Sequence, residues 1–187
     1  MSRSMVALGA IVAPKRLQTG PFGSQLKAEE YTEYDVPVIM PKDICDGKIL
    51  SSGIARVPED KAKKHAKHRI VPGDILFPRR GNLGRIGVAT KENEGWICGS
   101  GCLRARLKNI IDTNYILQYV QLALVKRWLE SNALGQTMLN LNTEIISNLP
   151  IFLVPKKEQT ASSFIGCRHT KQRRVSAGAR KAVCAKP

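Results

Sequence analysis

Acidic side chains are scarce in this chain. Its 187 residues hold 15 Asp and Glu against 30 Lys and Arg, a formal net charge of +15 at pH 7. An excess of that size favours a polyanionic partner, either nucleic acid or an anionic membrane face. Aromatics are also few: four Phe, four Tyr and two Trp, or 5%. So sparse a set argues against the aromatic platform on which RNA-binding modules stack bases. No apolar run approaches the ~18 residues of a spanning helix, and no secretory leader stands at the start. The expectation is a cytoplasmic protein with no membrane partner. The five cysteines are an odd number without the spacing of a disulfide framework, which predicts free thiols in a reducing compartment.

Signatures of catalysis are missing as well. There is no Walker loop, no dinucleotide fingerprint and no Gly-x-Ser-x-Gly elbow. No carboxylate pair stands out as acid and base. His65-x-x-His68 and Cys98-x-x-x-Cys102 have a spacing that suits zinc. The histidines, however, sit on a Lys-rich face and the cysteines flank a turn. The expectation is no catalytic residue, no metal and no cofactor.

What is present is a core of ordinary size. Hydrophobic residues make up 43%, and the length suits one domain. The charge is uneven. Residues 1–155 hold 21 Lys and Arg and 14 Asp and Glu, whereas residues 156–187 hold 9 and 1. Half the excess therefore lies in the last 32 residues.

The most informative stretch is Val71 to Thr90, VPGDILFPRRGNLGRIGVAT. Pro72-Gly73 is a turn pair. Asp74 to Phe77 and Ile86 to Ala89 are short and strand-like. Between them Arg79, Arg80, Asn82 and Arg85 share a glycine-rich hairpin tip. Guanidinium forks match phosphate oxygens and the O6/N7 edge of guanine, and an Asn amide matches adenine N6/N7. A nucleic-acid contact loop and a solvated basic turn both fit these residues.

Two further loops have contact chemistry. Thr19-Gly20-Pro21-Phe22-Gly23-Ser24-Gln25-Leu26-Lys27 is a tight loop in which Ser24, Gln25 and Lys27 suit a ligand-facing side. Gly135 to Thr143 is rich in amides, Gln136, Asn140 and Asn142 among them. Such amides suit base-edge readout, but Asn142 or Thr143 equally suits the cap of a short helix.

Elsewhere the pattern predicts strands at Val36–Met40, with Pro37 marking an edge or bulge, and at Ile54–Val57. It predicts a helix from Pro58 to about His68, begun by acids that suit the dipole. Strands follow at Gly95–Cys98 and Cys102–Leu107; in the second, Leu103, Ala105 and Leu107 alternate with Cys102, Arg104 and Arg106, the period of a half-buried strand. Asp112 reads as an N-cap for one long helix, Tyr115 to Leu134, whose stripe is Ile116, Tyr119, Val120, Ala123, Leu124 and Arg127-Trp128. Gly135 fits its C′ position. A last strand lies between Pro150 and Pro155. Thr160 to Pro187 has little apolar periodicity and reads as poorly ordered.

Taken in series, TGPFGSQLK, PVIMPKDICDGKI, PGDILFPRRGNLGRIGV, ALGQTMLNLNTEIISNLPIFLVP and KKEQ resemble a target-recognition domain from the specificity subunit of Type I restriction-modification enzymes. The order and spacing match across roughly residues 5–160. The resemblance implies an α/β fold of α+β type, with a twisted, mainly antiparallel sheet plus helices, reading one half of a bipartite DNA target. It implies a subunit without catalysis of its own. The implied partners are double-stranded DNA, the methyltransferase (modification) subunits and, in the full complex, a restriction-translocase subunit. The implied contact residues are Ser24, Gln25, Lys27, Arg79, Arg80, Asn82, Arg85, Gln136, Asn140 and Asn142.

The chain departs from the family in two ways. It carries one such domain where the full subunit has two, and the long spacer helix fades after Ala161–Gly166. Residues 1–157 are expected to form the recognition domain, and 158–187 a remnant of the spacer helix with a basic, disordered tail. The tail's composition reads like out-of-frame translation, which predicts a half-length or truncated form. Pairing of two copies as a homodimer is the rival arrangement. A basic protein binding RNA or DNA without sequence preference is the alternative function.

Overall fold

The computed structural model describes residues 3–21, 31–136 and 138–161. Its strands are β1 (Ser4–Ala7), β2 (Val12–Thr19), β3 (Val36–Ile39), β4 (Ile44–Cys45), β5 (Lys48–Ile49), β6 (Ala55–Val57), β7 (Ile75–Pro78), β8 (Gly87–Val88), β9 (Ile97–Cys98), β10 (Cys102–Leu107) and β11 (Pro150–Leu153). The helices are α1 (Leu8–Ile11), α2 (Glu59–Lys64), α3 (Thr113–Val120), α4 (Ala123–Asn132) and α5 (Thr143–Asn148). The strands form a four-stranded sheet ordered β2-β10-β7-β8, a three-stranded sheet β6-β3-β9, and the pairs β1-β11 and β4-β5. All pairings are antiparallel except that of β3 with β9. This is the α+β architecture expected.

Strand β2 is not foreseeable from its own residues. Pro14, Lys15 and Arg16 interrupt any alternation, and Lys15 takes a φ of 57°. The strand exists because β10 pairs with it, across a register shift between Ala105 and Leu107. A bulge absorbs the irregular residues. Pro37 is accommodated differently. β9 joins β3 only from Val38 onward, so the proline occupies a stretch with β6 as its one strand partner.

Strand β10 is central rather than half-buried. Leu103, Ala105 and Leu107 pack with Ile75 and Phe77 of β7 and with Ile116, Val120 and Leu129 of the helices. Cys102 faces a second cluster with Leu76, Ile39 and Ile44. Arg104, on that second face, is 1% exposed. Its Nη1 donates to the carbonyls of Arg69 (2.7 Å) and Lys67 (3.3 Å), and its Nη2 to Gln18 Oε1 (2.9 Å). The fully buried Asp74 carboxylate accepts both Arg106 Nε (2.7 Å) and Nη2 (2.9 Å), and the Val71 amide (2.9 Å). Arg104 Nε lies 3.9 Å from the same carboxylate. A buried charge is tolerated when it is paired and hydrogen-bonded. The polar alternation in β10 thus marks an internal network and not a wet face.

The long helix is two helices. Leu122 has ψ 142°, extended backbone, and separates α3 from α4. The break changes the helical phase. Ile116 and Val120 are buried in α3, Val125 and Leu129 in α4, and Val120 and Val125 would not share a face of one continuous helix. Ala123, Leu124 and Arg127, expected in the stripe, face solvent instead, Leu124 at 66% exposure. Asp112 does cap α3, accepting from the Tyr115 amide at 3.0 Å.

Cys98 and Cys102 are free and buried. Burial pushes the Cys98 thiol up to about 12 and raises that of Cys102 as well, so both are packing groups. Cys45 departs from the free-thiol expectation: it is disulfide-bonded. Residues 156–161 are helical. Gln159 is fully buried there, donating to the Val154 carbonyl (2.7 Å) and accepting from the Asp112 amide (2.9 Å). The basic tail lies outside the described residues. Among those described, no helix is long and apolar enough to cross a membrane.

Candidate nucleic-acid interface

The site is built at one end of the four-stranded sheet. Strands β2 and β7 both run antiparallel to β10, so both finish where β10 begins. There Cys102 pairs with Pro78, and its carbonyl accepts the Gly20 amide at 3.0 Å. A Cβ on Gly20 would collide with the Gly99 carbonyl, so only glycine fits this backbone crossing. Gly20, at the end of β2, and the hairpin leaving β7 therefore lie on either side of the start of β10. Ser24, Gln25 and Lys27 lie outside the described residues.

The hairpin after β7 is anchored at both ends and in the middle. The Arg79 amide donates to the Gly101 carbonyl at 2.8 Å. Leu83 and Ile86 are buried in the main core. Asn82 Oδ1 accepts the Gly84 amide at 3.0 Å, a local Asx turn that uses one side of that amide. Arg80 and Asn82 are exposed, while Arg79 and Arg85 are half-buried. Arg79 Nε is buried without a hydrogen-bond partner.

The amide-rich loop after α4 lies directly against this hairpin. Leu134 and Asn140 exchange two backbone hydrogen bonds (2.9 and 2.7 Å), closing a turn in which Gly135 takes φ 98°. Gly135 stands beyond the C-cap, Ala133, because the helix stops short of the predicted end. Leu141 is fully buried and its amide donates to the Arg79 carbonyl at 2.9 Å. Arg80 and Asn140 form an antiparallel bridge, and Arg80 Nε donates to Asn140 Oδ1 at 3.0 Å. Asn140 Nδ2 donates to the Met138 carbonyl at 3.1 Å. Gln136 is exposed on the same turn.

Of the sequence-derived residues, Arg79, Arg80, Asn82, Arg85, Gln136 and Asn140 thus share one pair of stitched loops. Asn142 has a structural duty. Its Oδ1 accepts the Ile145 amide at 2.8 Å and caps α5, which decides between the two roles open for that oxygen. Asn142 also borders a groove of about 290 Å³, lined too by Trp128, Asn132, Leu134 and Glu144.

The interface is electrostatically open. Some arginines elsewhere in the chain are paired with carboxylates: Arg3 with Glu158, Arg69 with Glu59, Arg106 with Asp74. Among the described residues, Arg79, Arg80 and Arg85 have no carboxylate partner. Neither has Lys126 of α4, whose side chain lies against Gly84: a Cβ there would stand 3.2 Å from Lys126 Cδ. Lys126 went unnoticed in the sequence because nothing local links a helix lysine to a hairpin that precedes it by some forty residues.

A family model described as the Type I restriction modification DNA specificity domain matches residues 20–163. No curated protein sequence matches the chain. Among solved structures, the HsdS subunit from Thermoanaerobacter tengcongensis is 19% identical with a TM-score of 0.69, covering 98% of this chain and 41% of its own. The S subunit of a Type-I restriction-modification system from M. genitalium is 17% identical with a TM-score of 0.58, covering 88% and 38%. A chain from a structure of the type I R-M system, solved for its complex assembly and conformational transition, is 19% identical with a TM-score of 0.63, covering 94% and 40%. At these identities the likeness is one of fold, and the chain spans about two fifths of the length of the structures it matches.

Proposed function

Because this chain belongs to the Type I restriction modification DNA specificity domain family, we propose that it is a target-recognition domain that reads one half of a bipartite duplex DNA target. The observation that carries this reading is the pair of stitched loops, 79–86 and 134–142, presenting unpaired cations and amides at one end of the sheet. Cations on a fixed surface supply affinity through phosphates, and amide and guanidinium edges supply sequence choice. In this reading Ser24, Gln25 and Lys27 complete the surface from the neighbouring loop. The protein positions methyltransferase subunits on the target, with a restriction-translocase subunit in the full complex, and leaves the chemistry to them. Its place is the cytoplasm, beside the chromosome.

Residues 1–157 are the recognition domain, and the spacer region begins at 158. A single domain reads a split target if two copies pair, each taking one half-site. Copurification with the methyltransferase subunit, followed by mapping of methylated adenines, tests the whole reading. Two half-sites at a fixed separation are the expected result. Binding to every duplex alike, with no methylation pattern, would leave only a basic protein that binds nucleic acid without choosing.

A further inference from the structure

The hydrogen bond between Arg80 and Asn140 joins two residues sixty positions apart, one from each loop. Arg80 is exposed, yet its Nε is engaged. A guanidinium has five N–H donors in a planar fork, so four remain, all on the two terminal nitrogens. Asn140 is itself held. Its backbone exchanges two bonds with Leu134, and its Nδ2 is tied to the Met138 carbonyl. The Arg80 backbone is gripped from both sides by the Arg79 bonds to Gly101 and Leu141. The fork is therefore aimed before any ligand arrives, and no carboxylate among the described residues competes for it.

We propose that Arg80, aimed by Asn140, is a specificity-determining residue that takes the O6/N7 edge of a guanine end-on through its two terminal nitrogens, and that Asn140 is its positioning residue rather than a base reader in its own right. A planar pair of acceptors is offered by a guanine edge and by a phosphate. Two observations favour the base. A phosphate contact tolerates a loosely held cation, whereas an edge-on contact to one base needs a fixed fork. The turn carrying Asn140 also exposes Leu134 and Met138, each at 57%. Such apolar side chains suit base edges and thymine methyls and have nothing to gain from a phosphate. Arg79, Arg85 and Lys126, which have no comparable side-chain brace among the described residues, are left for the backbone.

This inference rests on the DNA-recognition reading above and is tested separately from it. The full chain, with its methyltransferase subunit, is used to enrich binders from a pool of random-sequence duplex DNA. Affinities for the enriched duplex are then compared with those for base-substituted and 7-deazaguanine versions. The expected result is one G·C pair whose replacement, or whose loss of N7, weakens wild-type binding by about 5- to 100-fold. Arg80→Lys and Asn140→Ala should both lose that discrimination at that same pair. The double variant should lose no more than Arg80→Lys alone, and the slope of log affinity against log salt should stay unchanged for Asn140→Ala. Should Arg80→Ala weaken all duplexes equally and flatten the salt slope by about one phosphate, with Arg80→Lys keeping the wild-type slope and discrimination, Arg80 binds the backbone. The proposal then falls while DNA recognition stands. Discrimination retained in Asn140→Ala removes the positioning role. Failure of the wild type to enrich any sequence overturns the recognition reading and this inference together.

Discussion

Residue by residue, the strongest constraints lie beneath the interface, in the ionic network of β10. Asp74 is fully buried and holds Arg106 through two short bonds, with Arg104 nearby. Asp74→Ala leaves the buried Arg104 without a nearby carboxylate and the part-buried Arg106 without its partner. The expected loss is about 3–5 kcal/mol of stability, read by urea unfolding. His68 gives a pH dependence. It is buried, with the Thr19 backbone as a weak polar neighbour. Burial first, then the charges of Lys67, His65 and Arg104, lowers it from 6.5 to about 4. With the folded pKa below the unfolded one, the unfolded chain binds the extra proton between the two values. Stability is therefore full above pH 6.5 and falls as pH drops toward 4, by an amount on the order of 3 kcal/mol. A plot of unfolding free energy against pH should lose this slope in His68→Phe. Asp74, Arg104 and Arg106 show how sequence reading stops short. Their alternation with apolar residues was visible, but an arginine on a strand does not announce whether water or another layer covers it.

At the scale of elements, the Asp112 cap was legible in the sequence, while the Asn142 cap was one of two roles its amide left open. Asp112 and Asn142 occupy the cap positions of α3 and α5, each accepting the backbone amide three residues on. Asn142→Ala should cost about 1 kcal/mol, and Asn142→Ser should recover most of it, as followed by thermal melting. Gly20→Ala tests the crossing at the end of the sheet. Its Cβ meets backbone rather than movable side chain, so a loss of about 1–3 kcal/mol or more is expected. Two elements were illegible for a shared reason. Strand β2 and the interruption at Leu122 are both imposed by distant partners, the first by β10 and the second by a core that wants Val125 and Leu129 inward. Neither a bulged basic strand nor a helix break without Gly or Pro leaves a local mark.

For the molecule as a whole, the excess of positive charge predicts steep salt dependence. Replacing both Arg79 and Arg80 by Ala should weaken duplex binding and flatten the slope of log affinity against log salt, by about 0.9 for each phosphate contact removed. Unaltered binding would take the hairpin out of the interface. Light scattering at high concentration addresses the paired-copy arrangement: a strict monomer rules it out. The two loops were legible as separate basic and amide-rich stretches, but their adjacency was not, because it depends on Leu141 and Asn140 meeting Arg79 and Arg80, a contact between Arg80 and Asn140 sixty positions apart in the chain. That adjacency is secured largely by main chain, through Arg79 to Gly101, Leu141 to Arg79, and Leu134 to Asn140. Peptide groups are the same in every amino acid. Side chains on the rim can accordingly be exchanged over generations while the frame that displays them stays put, so a lineage carrying this fold can acquire a new target word without first learning to fold again.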